Sequence, residues 1–327
     1  MTYSLRSILF IFCSFQLLTA QTSEMKRPNF LKPGDTIAIV APSGVIKNNA
    51  HIYEGATLAK TWGLNVIIGE HVFDKFHHYA SSDKNRLADL QEALDNPSIK
   101  AIWCARGGYG AIRIIDDLDF SKFQETPKWI IGYSDITVFH SHLHNLGIET
   151  LHAMMPVNIE FPKEKRIESE NTLRQALFGV LNSYSIPSSS YNIPGKNKGP
   201  LIGGNLTLLE NLIGSNSSMD TSGKIIFFEE IGEHKYHIDR LLQGLKRNGY
   251  FDHCKGIIVG GMSHLKKNIP DYGIAIEELI LDALPNKNIP IIFDFPAGHD
   301  PENKALYLGR EIEVIVNHSN SSIKFLN

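Results

Sequence analysis

Lys128-Trp-Ile-Ile-Gly-Tyr-Ser-Asp-Ile-Thr-Val-Phe-His-Ser-His-Leu-His-Asn-Leu146 is the stretch whose reading decides the fold. Trp129 to Ile131 is a short apolar run of the kind that forms a buried strand, and Gly132 permits a sharp turn. From Ile136 onward the apolar residues Ile136, Phe139, Leu143 and Leu146 recur at helical spacing. Ser134 therefore falls where a strand hands over to a helix. A side-chain oxygen is exposed there, and the free N–H groups of the helix start are aimed at whatever binds. This is the layout of a nucleophile elbow, with Ile136 in place of the usual last glycine of Gly-x-Ser-x-Gly. Ser and Asp are also preferred helix caps, so Ser134 or Asp135 read alone could be doing no more than capping.

Upstream, strand-like and helix-like segments alternate. Gly34 to Gly44 holds a strand ending in Pro-Ser-Gly, Ile52 to Trp62 is amphipathic, and Asn65 to Gly69 is a second strand. Ser82 to Leu94 reads as a helix, Lys100 to Ala105 as a strand, and Ala111 to Leu118 as a helix. Such alternation predicts an α/β fold with a doubly wound parallel sheet, in which the turns after the strand ends carry the chemistry. Two turns qualify: Arg106-Gly-Gly-Tyr-Gly110 and Gly132 to Asp135. The first could cradle an oxyanion on the N–H of Gly107 or Gly108, or could simply be a tight turn. It matches neither the dinucleotide fingerprint nor the P-loop, so no cofactor is expected.

Phe161 to Pro200 is polar and rich in Ser, Pro and Gly, apart from a helix-like stretch at Asn171 to Leu181, and reads as a linker. The expected organisation is residues 25–160 as the N-terminal α/β domain, 161–200 as linker and 201–327 as a smaller, β-rich C-terminal α/β domain. In that second half, Gly223 to Phe228 is a strand running into Glu229 and Glu230. Tyr236 to Leu245 is helical, and Gly256 to Met262 is a buried strand. Ile289 to Phe295 delivers His299 at a Pro/Gly-rich turn, and Glu311 to Val316 alternates as an exposed strand does.

The bulk numbers are those of an ordinary globular protein: 327 residues, 43% hydrophobic and 20% charged. A formal net charge of -3 gives no reason to expect a nucleic-acid partner. After Arg6, a short apolar core ends in small residues near Ala20, which fits a secretory signal over residues 1–20 and a periplasmic enzyme without a stable membrane anchor. Phe12 before Cys13 argues against a lipoprotein site, and a start at Met25 would instead leave a cytoplasmic enzyme. Cys104 and Cys254 sit in different apolar runs and read as buried free thiols.

Serine is a poor nucleophile until a base takes its proton, and the base must be held in one tautomer by an acceptor. Ser134, His299 and either Glu229 or Glu230 supply those groups at apolar strand ends. Adjacent strand residues face opposite ways, so only one glutamate can reach the site, and alternation does not say which. His140 and His144 share a helical face and could hold zinc with a third ligand such as His152, but solvated or capping histidines, His142 among them, are the plainer expectation.

Ile37-Ala-Ile-Val-Ala-Pro-Ser-Gly44, Ala105-Arg-Gly-Gly-Tyr-Gly110, Ile131-Gly-Tyr-Ser-Asp135, Gly203-Gly-Asn205, Phe228-Glu-Glu-Ile-Gly-Glu233, Ile238-Asp-Arg240 and Gly298-His299 occur in this order. Together they resemble the LD-carboxypeptidases, the muramoyltetrapeptide carboxypeptidase family of serine peptidases, over nearly the whole chain past the leader. The resemblance implies Ser134 as nucleophile, Glu229 as the triad acid and His299 as base, split across two domains, with no metal. It implies release of the terminal D-alanine from murein tetrapeptide stems, a murein peptide as ligand, and a homodimer as a common assembly. The N–H groups of Asp135 and of Gly107 or Gly108 are then the oxyanion donors, and Arg106 the cation for the substrate's free carboxylate. Family members acting in murein recycling are typically cytosolic, so the apparent leader is a departure. Two other functions share the fold: a hydrolase similar to the microcin-immunity proteins, which cleave an aminoacyl-adenylate analogue, and a non-catalytic murein binder.

Overall fold

The computed structural model describes residues 25–326. The expected signal segment 1–20 lies outside the described residues. None of the helices among the described residues is long and apolar enough to cross a membrane.

The first half runs β1 (Thr36–Val40), α1 (Asn49–Thr61), β2 (Asn65–Ile68), α2 (Asp83–Asp95), β3 (Ile99–Cys104), α3 (Ser121–Glu125), β4 (Trp129–Gly132), α4 (Thr137–Asn145), β5 (Thr150–His152) and α5 (Lys163–Leu177). Strands β1 to β5 form a parallel sheet in the order β5-β4-β3-β1-β2. The second half runs β6 (Ser183–Pro187), β7 (Gly195–Asn205), α6 (Leu206–Asn211), β8 (Ile225–Ile231), α7 (Lys235–Arg247), β9 (Gly256–Ser263), α8 (Ile276–Ala283), β10 (Ile291–Ile292), β11 (Leu306–Leu308), β12 (Glu311–Val316) and β13 (Asn320–Phe325). Its seven-stranded sheet is ordered β10-β9-β8-β7-β12-β13-β6. The β10-to-β7 half is parallel and the rest antiparallel.

Hydrophobic period explains most of these elements. α7 buries Ile238, Leu241, Leu242 and Leu245, one stripe at spacings of three and four. Each such side chain contributes about 1.5–3 kcal/mol when taken from water. Strand β4 is buried at every position, as expected of a strand covered on both faces. Ile39, Trp103 and Ile131 of the first sheet share one apolar cluster with Leu201, Phe227 and Ile312 of the second, so the two sheets close over a common core.

The structure corrects three expectations. The 161–200 stretch is ordered: it carries α5, the edge strand β6 and the first residues of β7. Its polar composition hides an alternation in which Tyr184 and Ile186 point inward while Ser183, Ser185 and Pro187 are exposed. Residues 111–118 form two short 3-10 turns rather than one helix. Finally, β11 leaves the C-terminal half and pairs antiparallel with β5, so residues 306–308 extend the first sheet. Cys104 and Cys254 are buried free thiols.

Candidate active site

Ser134 sits one residue beyond Tyr133 at the end of β4, with φ +63°. That left-handed conformation costs a non-glycine residue roughly 1–3 kcal/mol and persists only where neighbours enforce it. They do so here. Gly132 leaves room for the turn, because a Cβ on it would meet Ile136 Cγ1 at 2.8 Å. The Asp135 carboxylate accepts the Ala111 N–H at 2.8 Å and so ties the elbow to the loop after β3. Burial pushes the Asp135 carboxyl above the ordinary carboxylate range.

The glycine-rich loop lies directly against the serine. A Cβ on Gly107 would fall 2.9 Å from Ser134 Cβ, 3.1 Å from its Oγ and 3.4 Å from Asp135 N. The space that a side chain at 107 would fill is therefore open beside both the hydroxyl and the Asp135 N–H. Gly107 is held from behind by its carbonyl, which accepts the Gly44 N–H at 2.9 Å. Arg86, a buried residue of α2, donates from Nη1 to the carbonyls of Gly110 (3.0 Å) and Pro42, and from Nε to that of Ser81 (3.2 Å). One guanidinium thus joins the loops after β1 and β3. Arg106 lines the cleft and donates from Nη1 to the Val45 carbonyl.

The remaining groups come from the second half of the chain, Glu229 from β8 and His299 from the loop after β10. Glu229, wholly buried near the end of β8, accepts from His299 Nδ1 at 2.7 Å, which leaves Nε2 as the free ring nitrogen. Gly298 permits this approach, since a Cβ there would lie 2.9 Å from Glu229 Oε2. Burial works against the imidazolium, but the charge and hydrogen bond of Glu229 outweigh it and hold His299 above its ordinary pKa. Glu230 points elsewhere: it accepts from Thr207 N (2.8 Å), Thr207 Oγ1 (2.6 Å) and Ile231 N (2.8 Å). Burial raises its carboxyl too. Ser134 and His299 line one cleft of about 530 Å3, together with Arg106, Gly107, Gly108, Tyr133, Asn158, Glu160 and His264.

Several features around these groups escape a reading of the sequence. The Tyr133 ring meets His299 edge-on at 4.9 Å, and Asn158 Nδ2 donates to the Tyr133 hydroxyl at 2.8 Å. Asn205 Nδ2 lies between the two carboxylates, 3.3 Å from Glu229 Oε1 and 3.1 Å from Glu230 Oε1. His264 occupies the left-handed region at φ +52° on the cleft rim. The signal in the sequence that fits the Asn205 contacts is the Gly203-Gly204 pair before it, since paired glycines suit a close backbone approach.

The histidines of α4 correct another expectation. His140 is not solvated: it is buried, with Nε2 at 2.9 Å from the Gly132 carbonyl, and burial lowers its pKa to about 4. His144 is driven to about 4 as well, chiefly by burial. His142 pairs with the Ser217 hydroxyl at 3.0 Å. His152 is fully buried, 4.9 Å from the Phe227 ring, and burial drives it far below its ordinary value.

Residues 37–153 match the model of the LD-carboxypeptidase N-terminal domain, and residues 198–314 that of the C-terminal domain. A Bacillus subtilis protein named "probable murein peptide carboxypeptidase" is 31% identical over 295 residues, covering 86% of this chain and 89% of its own. The crystal structure of muramoyltetrapeptide carboxypeptidase from Oxalobacter formigenes superposes with a TM-score of 0.80 at 27% identity, over 89% of this chain and 99% of that one. A microcin self-immunity protein bound to glutamyl sulfamoyl guanosine shares the fold, with a TM-score of 0.81 at 21% identity over 90% of this chain and 97% of its own. Fold and matches define the class: a peptidase built from two α/β domains, each with its own sheet. The chain belongs to the LD-carboxypeptidase family.

Proposed function

We propose that this protein is a serine carboxypeptidase that hydrolyses the L,D bond releasing terminal D-alanine from murein tetrapeptide stems. The observation that carries the reading is the 2.7 Å pairing of His299 Nδ1 with buried Glu229, the other ring nitrogen being left for the cleft that also holds Ser134. His299 takes the Ser134 proton as Oγ attacks the scissile carbonyl, and Glu229 holds the resulting imidazolium. The N–H of Asp135, with that of Gly107 or Gly108, receives the oxyanion in the space beside Gly107, at about 3 kcal/mol per donor. His299 then protonates the leaving D-alanine amine. Water, activated by the same imidazole, hydrolyses the acyl-enzyme and regenerates Ser134.

Arg106 is the partner for the D-alanine carboxylate: one nitrogen is anchored on Val45 and the side chain lines the cleft. The murein names of the Bacillus and Oxalobacter proteins support the choice of substrate. The leader-like residues 1–20 favour an exported, periplasmic site of action.

Purified protein incubated with murein tetrapeptide should release D-alanine, detected by mass spectrometry, and Ser134→Ala should abolish the release. Cleavage of an aminoacyl sulfamoyl adenylate in place of the tetrapeptide would reassign the protein to the microcin-immunity activity. Binding of the tetrapeptide without turnover would make it a murein-binding protein.

A further inference from the structure

The proposed triad is assembled from two sheets, and its geometry depends on whatever holds the helix of Ser134 against the strand of Glu229. A misplacement of 1 Å at a reacting group can cost about 100-fold in rate. We infer that Thr137 is the positioning residue that sets this reach; the inference rests on the Ser134–His299–Glu229 reading above.

Thr137 opens α4, three residues after Ser134, and is fully buried. Its hydroxyl accepts the backbone N–H of Asn205 at 2.9 Å. Asn205 ends β7 and is in direct parallel register with Glu229 on β8. Its side chain continues the link, with Nδ2 3.3 Å from Glu229 Oε1, the carboxylate oxygen not used by His299. Its Oδ1 accepts the Leu208 N–H at 3.3 Å and caps α6, which keeps the amide from rotating. A continuous hydrogen-bonded path therefore runs from the helix of the nucleophile, through Thr137 and Asn205, to the carboxylate that orients the imidazole.

The sequence around this path is shaped to let it form. A Cβ on Gly204 would fall 2.4 Å from Thr137 Oγ1, and one on Gly203 only 1.8 Å from the Phe227 carbonyl. Gly203 and Gly204 also hold φ values of +131° and +149° respectively, which side chains disfavour. The Gly203-Gly204-Asn205 stretch is thus the place where the strand end is brought flush with the first turn of α4. Thr137 supplies the one polar atom there that meets the strand's last N–H.

Three variants test the inference: Thr137→Val, which keeps the shape and removes the hydroxyl, Thr137→Ser, which keeps the hydroxyl, and Thr137→Ala. Two readouts are followed, the rate at which a fluorophosphonate labels Ser134 and the separate kcat and KM for tetrapeptide. Thermal unfolding is recorded for each variant, and kinetics are taken well below its midpoint. The expected result is that Val and Ala slow both labelling and kcat by roughly 10- to 100-fold, with KM within about twofold of the parent. Ser should restore most of both. Unchanged labelling in the Val variant, or equal impairment of the Ser variant, would overturn the positioning role and leave Thr137 a packing residue. Labelling needs no murein, so a parent protein that is labelled but leaves tetrapeptide intact would refute the substrate and not the positioning role. A parent that is not labelled at all would overturn both.

Discussion

Gly107 and Ser134 approach so closely that a single methyl group on the glycine would lie 2.9 Å from the serine Cβ and 3.1 Å from its hydroxyl. Real Cβ contacts are not that short, so Gly107→Ala must displace either the loop or the elbow. Because the methyl would also fill the space beside the Asp135 N–H, the expected effect falls on turnover. We expect kcat to fall roughly 100-fold while the unfolding midpoint moves little, since the loop remains anchored at Gly110 and Ala111. Steady-state kinetics alongside a thermal melt would check it; a variant within twofold of the parent kcat would refute the oxyanion placement.

The Glu229–His299 pair makes a signed prediction for pH. In the proposed mechanism His299 must be neutral to take the Ser134 proton, and Glu229 holds its pKa above the ordinary 6.5. Activity should therefore fall on the acid side with a midpoint above 6.5. Glu229→Gln removes the charge and leaves burial, which favours the neutral ring, so the midpoint of residual activity should move to lower pH. The plateau should drop by several orders of magnitude, since an amide no longer fixes the tautomer. A kcat/KM profile between pH 5 and 9 is the measurement, and an acid limb that does not move in the variant contradicts the pairing.

His140 has the opposite sign. Its folded-state pKa lies at about 4, below the unfolded 6.5, because burial disfavours the charged ring. Stability from keeping it neutral is fully present above pH 6.5 and is lost as pH falls toward about 4. His152, also buried and lowered, adds to the same acid loss. The urea midpoint should drop between pH 7 and pH 5, and His140→Gln, which can still donate toward the Gly132 carbonyl, should show a smaller drop. An equal drop in both proteins would remove His140 from the account.

Arg86 should matter for both stability and rate. Arg86→Met removes the guanidinium that the carbonyls of Pro42, Ser81 and Gly110 accept from, Gly110 keeping only the Arg113 N–H at 3.1 Å, and frees Asp83 from one of its two arginines. A loss of roughly 2–5 kcal/mol in unfolding free energy is expected. Because the same guanidinium joins the loops that carry Gly44 and Gly107, kcat should fall even in the fraction that stays folded. Urea titration and kinetics at low temperature separate the two effects.

Local pattern made much of this protein legible. The strand, turn and helix around Ser134 follow from Trp129 to Ile131, Gly132 and the helical spacing beyond, because period and turn chemistry act over a few residues. The strand β8 running into Glu229 and Glu230 was equally plain. The alternation also said that one of the two carboxylates would turn away, though not which.

What period does not encode is the partner across the interface. Glu229 rather than Glu230 meets His299 because Gly260 and Gly298 admit segments that a Cβ would block. Pairing with β9 also shifts register between Phe228 and Glu230. His140 looked like a surface residue and is buried because β5 and the second sheet cover its helix face. Residues 161–200 looked like a linker and contribute an edge strand because Tyr184 and Ile186 find a core supplied from elsewhere. The sequence alone thus determined most of the elements and the chemical groups at their ends, since these depend on neighbours in the chain. Which groups converge was decided only by tertiary structure, because packing two sheets on one core sets distances between residues that share no local pattern.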